Sequence, residues 1–447
     1  MKVAVIGSGY VGTTTAALLA NCSYDVVAID IDENKVATIN DGRAPFFEQG
    51  LEELIKKAVD NGKLVATSSY DSLVDAEVVF SCVGTPDNPD GSSNLSYVFA
   101  AAAEAVRYMG AGTVYVQKST VPVGTGEKVE SVFNEAGKEV KYVSNPEFLR
   151  EGTAIADTLW FDRIVAGGNS KEAVEKVLDL YRTLEKCRNE VAKVAGLTPQ
   201  NAPAGSYITT NRNSAELIKV TSNAFLALKI SFANSIAKLA DQTGADINEV
   251  MDAVGADRRI GRAFLNAGRG YGGGCFPKDV SGLISSATEH GVDMPIMISA
   301  ADVNETMPGY IANKAQEVLG TLEGKKIAVL GLAFKAGTSD SRRSPGVKLA
   351  NILDHDGSIV SVYDPQANGE AREDLRKSVN ICSSAKEAIS DCDAVFVATD
   401  WPEFKELDFA KISESMSGSL FVDCMNIFNP LDVKQSGLIY IGVGRRS

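Results

Sequence analysis

Residues 3–20 read VAVIGSGYVGTTTAALLA, an apolar strand that runs into Gly7, Gly9 and Gly12 in the spacing G-x-G-x-x-G and then into an apolar helix. Few local patterns restrict a fold so far. A strand joined to a helix by so tight a turn needs a backbone freed by its first glycine, and close helix–strand packing at its third. The middle glycine lets a pyrophosphate approach the helix N-terminus, where unpaired N–H groups and a partial positive charge await it. Tyr10 and Val11 lie inside the same turn. About twenty residues on, the run VVAIDID places Asp30 at the end of a second strand, the position that accepts from a ribose 2′-hydroxyl. A carboxylate there repels a 2′-phosphate, so the dinucleotide is NAD rather than NADP. Lys35, a few residues later, is read either as an adenosine contact or as a solvated helix lysine.

Short β-rich runs alternate with helical patterns through the first half: KVAVIG, DVVAID, EVVFSCVG, TVYVQKS, KYVSN and DRIVAG. LTPQNAPAGSYITT (residues 197–210) reads as a surface loop, rich in Pro, Asn and Gly. A long helix then follows over SAELIKVTSNAFLALKISFANSIAKLA, without internal Pro or Gly. At KKIAVLGLAF the β/α rhythm restarts, continued by SIVSVYDP, DAVFVATDW and SLFVDCMN. The fold class expected is α/β: two Rossmann-like, doubly wound parallel-sheet domains (1–210 and 320–447) joined by a helical middle domain (211–319) with a long central helix.

A net charge of −14 argues against nucleic acid as a partner. No run approaches the apolar length of a membrane span, and the glycines of the first turn interrupt what would otherwise resemble a signal peptide. The seven cysteines show no CxxC spacing, so no disulfide framework and no metal site is expected, and a cytoplasmic location follows. Six of them (Cys22, Cys82, Cys187, Cys382, Cys392, Cys424) are read as inert core residues. Cys275 is the exception, in GRGYGGGCFPKD. Pro277 suits the first position of a helix, which places the thiol just before a helix N-terminus beside Lys278, where thiolate is favoured. The three preceding glycines leave room for a substrate. A thiol beside an NAD site has a chemical use: it carries an aldehyde as a thiohemiacetal, which loses hydride to become a thioester. Lys219 and Asn223, four apart on the long helix, face one way and suit a developing oxyanion. His290 and His355 read as surface features.

Taken in order, GSGYVG, KSTVPVGT, NPEFLREGTAIAD, SAELIKVTSNAFLALKISF, DRRIGRAFLNAGRGYGGGCFPKD, GLAFKAGTSDSRRSP and YIGVGR resemble the UDP-glucose/GDP-mannose dehydrogenase family. The resemblance spans nearly the whole chain and implies oxidation of UDP-glucose at C6 to UDP-glucuronate, with two NAD per turnover. It makes Cys275 the nucleophile, assisted by Asp279 and Lys219 through a water, with Asn223 at the oxyanion. Thr120 would lie near nicotinamide and the reacting carbon, and Glu147 would act as base in thioester hydrolysis. Glu151 would approach the cofactor as well as the sugar nucleotide. Thr85, Lys278 and Arg342 match NAD contacts. Phe148, Leu149 and Arg150 would line the UDP-sugar, as would Phe264, Leu265, Asn266, Ala267, Gly268 and Gly272. Lys335 would meet the pyrophosphate, and Arg259 would reach the sugar across a subunit interface, implying a homodimer or larger homo-oligomer. Arg258, Arg262 and Arg343 are read as solvated or interface charges.

Two features depart from the family pattern: Phe161, where many relatives carry proline, and the longer 197–210 loop. GDP-mannose and UDP-N-acetylhexosamines remain alternative substrates, although Lys278 disfavours the latter. Two-electron β-hydroxyacid dehydrogenases need neither Cys275 nor a second α/β domain. A non-catalytic sugar-nucleotide sensor would not retain Cys275, Asp279 and Lys219 together.

Overall fold

The computed structural model describes residues 1–200 and 202–445, which fall into two compact units, Met1–Ser222 and Asn223–Ser447. In the first unit the strands are β1 (Lys2–Ile6), β2 (Asp25–Ile29), β3 (Leu64–Thr67), β4 (Val78–Ser81), β5 (Val114–Gln117), β6 (Lys141–Ser144), β7 (Arg163–Gly168) and β8 (Ser206–Thr210). They form one sheet in the order β3-β2-β1-β4-β5-β6-β7-β8. All pairings are parallel except β6 with β7. The apolar runs of β4 and β5 are buried throughout, as befits strands covered on both faces. The order over the first six strands is that of a dinucleotide fold, with its switch point between β1 and β4.

The second unit repeats the plan. Strands β9 (Lys326–Leu330), β10 (Ile359–Tyr363), β11 (Asn380–Ile381), β12 (Ala394–Val397), β13 (Leu420–Asp423) and β14 (Ile439–Gly442) pair in the order β11-β10-β9-β12-β13-β14. Every pairing is parallel. Helices precede this sheet along the chain, and the expected long helix is observed as Arg212–Thr243. Its Ala233, Ala237 and Ala240 are buried in the second unit's core with Met307, Ile311 and Ala315 of the helix Pro295–Leu319. None of the helices among the described residues is long and apolar enough to cross a membrane.

Two expectations are overturned. The stretch 197–210 is not wholly loop, because Ser206–Thr210 adds β8 to the sheet edge, parallel to β7. Its β-branched and aromatic residues outweigh the Pro and Gly before them, and Tyr207 packs edge-on against Phe161 with ring centroids 5.6 Å apart. A Cβ at Gly205 would lie 2.3 Å from the same ring. The two departures from the family pattern are therefore one packing arrangement.

Second, Cys22 and Cys187 are not separate core thiols but a disulfide. Cys22 caps the helix Tyr10–Asn21, and Cys187 lies on the helix Lys171–Val194. These helices meet only in the folded unit, 165 residues apart in sequence, so cysteine spacing carried no sign of it. Closing so long a loop stabilises the fold by about 2–4 kcal/mol. Thermal unfolding is therefore expected to shift down by several degrees in dithiothreitol, and Cys22→Ser is expected to show the lower midpoint with or without reductant. An unchanged midpoint on reduction of the parent would show that the bridge contributes nothing.

Candidate active site

In the first unit the glycine turn has the shape its spacing predicts. Gly7 has φ +95°, and a Cβ at Gly12 would lie 1.8 Å from the Gly7 carbonyl oxygen, so neither position admits a side chain. Gly9 differs: it caps the helix Tyr10–Asn21, and a Cβ there would meet nothing within 4 Å. That is the open cradle a pyrophosphate needs. Asp30 lies just past β2, and its carboxylate accepts from Ser8 N (2.6 Å) and Asp32 N (3.0 Å), which ties it to the turn. Lys35 is half-buried on the helix Glu33–Asn40, and Thr85 is buried in the segment after β4. These residues fit NAD.

The second sheet has the same turn with a different fate. A Cβ at Gly346, early in the helix Pro345–His355, would lie 2.3 Å from the Gly331 carbonyl oxygen, the counterpart of the Gly12–Gly7 contact. The acid after the second strand is Asp364, which is fully buried. It accepts from Leu332 N, Ala333 N, Gln366 N, Ala367 N and Trp401 Nε1. Its acceptor positions are taken by the protein, so it has none to offer a ribose.

Glu147 follows β6. Its Oε1 accepts from the amides of Phe148 (2.5 Å) and Leu149 (2.7 Å), and its Oε2 pairs with Lys118 Nζ at 2.7 Å. Burial alone would push this carboxyl up, but Lys118, and beyond it Lys219, hold it below the usual carboxylate range. Lys118 is itself buried and donates to Tyr181 Oη (2.9 Å). Tyr181 in turn donates to Asn145 Oδ1 (2.6 Å), whose Nδ2 donates to the Val165 carbonyl. Desolvation would lower the Lys118 ammonium, but Glu147 and Tyr181 more than offset it and keep it charged. The segment after Glu147 is clamped at two further points. Glu48 accepts from Gly152 N and Ala154 N at 2.7 Å each, and Asp157 takes the Arg150 guanidinium on both oxygens. Phe148 lies beneath Lys219 (5.4 Å from the ring centroid) and Arg163 (4.1 Å). Leu149, Glu151 and Thr120 are half-buried in the same unit. Sequence reasoning missed Lys118, Tyr181, Asn145 and Glu48. Lys118 lies inside the family motif KSTVPVGT, which was the one available signal for it.

In the second unit Cys275 is exposed and is the N-cap of the helix Phe276–Glu289. Pro277 therefore occupies the helix's second position rather than its first. Asp279 is buried one turn on. It accepts from Asn223 Nδ2 at 2.5 Å and pairs with Lys278 Nζ at 2.9 Å. Burial pushes the Cys82 and Cys392 thiols up to about 12 and raises Cys382 and Cys424 too, which keeps those four neutral.

The three glycines before Cys275 have a cause different from the one expected. The space beside them is occupied by the protein's own 331–344 segment. A Cβ at Gly272 would lie 2.4 Å from the Arg343 carbonyl oxygen, one at Gly273 (φ +83°) 2.9 Å from the Phe334 ring, and one at Gly274 2.8 Å from the Arg342 guanidinium. Arg342 is held by Asp340 on both oxygens, and Lys335 is half-buried in the same segment. Of FLNAG, Phe264 has φ +66°, Leu265 and Ala267 are in the core, and Gly268 N donates to Asn234 Oδ1. Asn266 is exposed and accepts from Arg262. Arg259 projects into solvent against Asp257, and His290 and His355 lie on the surface.

Three family models match the chain. They are the NAD binding domain of the UDP-glucose/GDP-mannose dehydrogenase family over residues 1–185, its central domain over 213–306 and its UDP binding domain over 328–430. The chain is 39% identical to UDP-glucose 6-dehydrogenase TuaD of Bacillus subtilis, over 99% of this chain and 93% of that one. The solved UDP-glucose dehydrogenase of Pyrobaculum islandicum superposes with a TM-score of 0.89 at 36% identity, covering 100% of this chain and 98% of that one. A UDP-D-ManNAc dehydrogenase from Pyrococcus horikoshii gives 0.86 at 31% identity, covering 100% and 99%.

The turn geometry separates two glycine substitutions. Gly12→Ala is expected to lower the unfolding midpoint, since its methyl has no room. Gly9→Ala is expected to unfold as the parent does but to bind NAD about tenfold or more weakly, because the methyl occupies only the ligand's space. Calorimetric NAD titration of both checks this, and unweakened binding by a folded Gly9→Ala would show that the open space is not where the pyrophosphate sits.

Proposed function

We propose, on the premise that the chain belongs to the UDP-glucose/GDP-mannose dehydrogenase family, that it is an NAD-dependent UDP-glucose 6-dehydrogenase making UDP-glucuronate. The observation that carries the chemistry is Cys275, exposed at a helix N-terminus, with Asp279 one turn away and fixed by Asn223 and Lys278. NAD, when bound, supplies the hydride acceptor, twice per turnover, with Gly7, Gly9, Gly12 and Asp30 holding it. Tyr10, Val11, Lys35, Thr85, Thr120, Glu151, Lys278 and Arg342 complete the NAD contacts in this reading.

After the C6 alcohol has become an aldehyde, the Cys275 sulfur adds to the aldehyde carbon. The oxygen of that thiohemiacetal takes a proton by way of Lys219 and Asp279, while Asn223 stabilises its developing charge. Loss of the C6 hydride, with the hydroxyl proton handed back through Lys219 and Asp279, leaves a thioester. Glu147 then takes a proton from water, the hydroxide attacks the thioester carbon, and the sulfur departs as thiolate. The UDP-sugar is assigned to Phe148–Arg150, the 264–268 segment, Gly272 and Lys335, with Arg259 reaching it from a second copy. An exposed apolar row at Phe225, Phe232 and Leu239, seven residues apart on the long helix, supports a homo-oligomer. We place the protein in the cytosol with the substrates it is assigned, where the Cys22–Cys187 bridge is an unusual feature, and we assign the three domains the boundaries 1–210, 211–319 and 320–447. GDP-mannose is the second reading, differing only in the base and hexose recognised.

Two experiments test this. With UDP-glucose, about two NADH per sugar are expected, with acid as product, from particles of at least two chains by light scattering. Cys275→Ser is expected to stop short of acid. One NADH per sugar would remove the thioester, and turnover of GDP-mannose alone would change the substrate. The pH profile tests Glu147. With Lys118 beside it, the carboxylate stays ionised to unusually low pH, and activity falls only as pH drops through that depressed value. Lys118→Met leaves the buried carboxylate without its cation, so the acid limb is expected to move to higher pH by about one to two units. An unmoved limb would mean that Glu147 is not the base.

A further inference from the structure

Arg269 is the largest fully buried side chain among the described residues, 1% exposed, and its hydrogen bonds all go to neutral acceptors. Nη2 donates to the carbonyls of Ala333 (3.1 Å) and Phe334 (2.8 Å), Nη1 to Ser344 Oγ (3.3 Å) and Nε to Met425 Sδ (3.3 Å). Its own amide donates to the Cys424 carbonyl at the end of β13. Burial pushes the guanidinium down to about 10, which leaves it charged at neutral pH. A buried cation without a carboxylate in contact is costly unless something else requires it.

The positions it ties together indicate what that is. Arg269 opens the segment that ends at Cys275. The carbonyls it grips stand immediately before Lys335, and Ser344 is the N-cap of the helix Pro345–His355. Along the rest of the segment, Gly272, Gly273 and Gly274 lie flat against Arg343, Phe334 and Arg342. Gly273 N also donates to the Arg342 carbonyl at 2.9 Å. One guanidinium thus fastens the nucleophile's segment to the loop that crosses from β9 to its helix. In the first sheet the equivalent crossing is a short turn from Gly7 to Gly12. Here it runs from Gly331 to Gly346, and a long crossing needs an internal tie to hold one conformation.

We propose that Arg269 is a positioning residue for the diphosphate of the UDP-sugar: it holds the 331–344 loop, with Lys335, in the conformation that receives the anion. This rests on the functional reading above and deepens it.

The test is calorimetric titration with UDP, together with steady-state kinetics, for Arg269→Met and Arg269→Lys. Arg269→Met is expected to bind UDP about tenfold or more weakly and to raise KM for UDP-glucose in parallel, with KM for NAD within about twofold of the parent. Arg269→Lys keeps the charge but not the fork, and is expected to recover part of the loss. A merely structural role would lower the unfolding midpoint and leave UDP affinity unchanged in the folded variant, and that result overturns the proposal. Should Arg269→Met fail to fold, Arg269→Lys decides: parental UDP affinity overturns the proposal, and about a threefold or greater loss sustains it. If the parent itself does not bind UDP, the functional reading fails and takes this inference with it. If the parent binds and the variants match it, only this inference fails.

Discussion

The structure depends on a contact that no side chain can share: the backbone of a helix's first turn against the carbonyl that ends the preceding strand. At Gly12 a Cβ would be 1.8 Å from the Gly7 oxygen, and at Gly346 it would be 2.3 Å from the Gly331 oxygen. Each sheet is seeded by one such contact beside its central strand, β1 or β9, and the strand orders that spread from them are the same over six strands. The right-handed crossover leaves little choice once the first strand and helix are locked together. The net charge and the apolar content are compatible with many folds, but this contact at two places in one chain is compatible with few.

The acid beyond the second strand of each sheet decides which copy holds a dinucleotide. Asp30 serves two backbone amides and stays at the edge of an open turn, while Asp364 serves four amides and an indole and is sealed in. The difference is steric in origin. The second crossing is long enough to fold back over its own acid, and Trp401 closes the side. The same local grammar therefore leaves a dinucleotide cradle open in one sheet and closed in the other, and the longer crossing of the second carries the loop against which the glycines before Cys275 lie.

Legibility in the sequence tracked the distance over which the physics acts. The glycine turn, Asp30, the Cys275 helix start, the long helix and ten of the strands were readable, because each is set within one stretch of chain. The disulfide, Glu48 and the Lys118–Tyr181–Asn145 chain were not, because each joins residues that only the folded sheet brings together. β8 was hidden by the Pro and Gly residues ahead of it, and its partner Phe161 was noticed only as an oddity. Phe161 also stands edge-on to Tyr181, at 6.4 Å, so two apparently peripheral departures end beside the residue that holds Lys118. The glycines before Cys275 teach a related lesson: small residues announce close approach, but they do not say what approaches.

An acidic chain that handles anions must place its positive charge with care, and two of its buried cations show two ways of doing so. Lys118 is matched by a carboxylate at 2.7 Å, so its field is neutralised locally, and what it alters is the proton affinity of Glu147. Arg269 is held by carbonyl, hydroxyl and thioether acceptors, and the carboxylates that act on its charge, Asp400 and Asp364, do so without a hydrogen bond to it. In a low-dielectric interior that charge is felt over several ångströms. The paired lysine lowers the proton affinity of a carboxylate, whereas the arginine, donating to neutral acceptors on both sides, ties two stretches of backbone together. Positive charge kept inside, where counterions do not screen it, is one way in which a chain with a net charge of −14 is compatible with a diphosphate ligand.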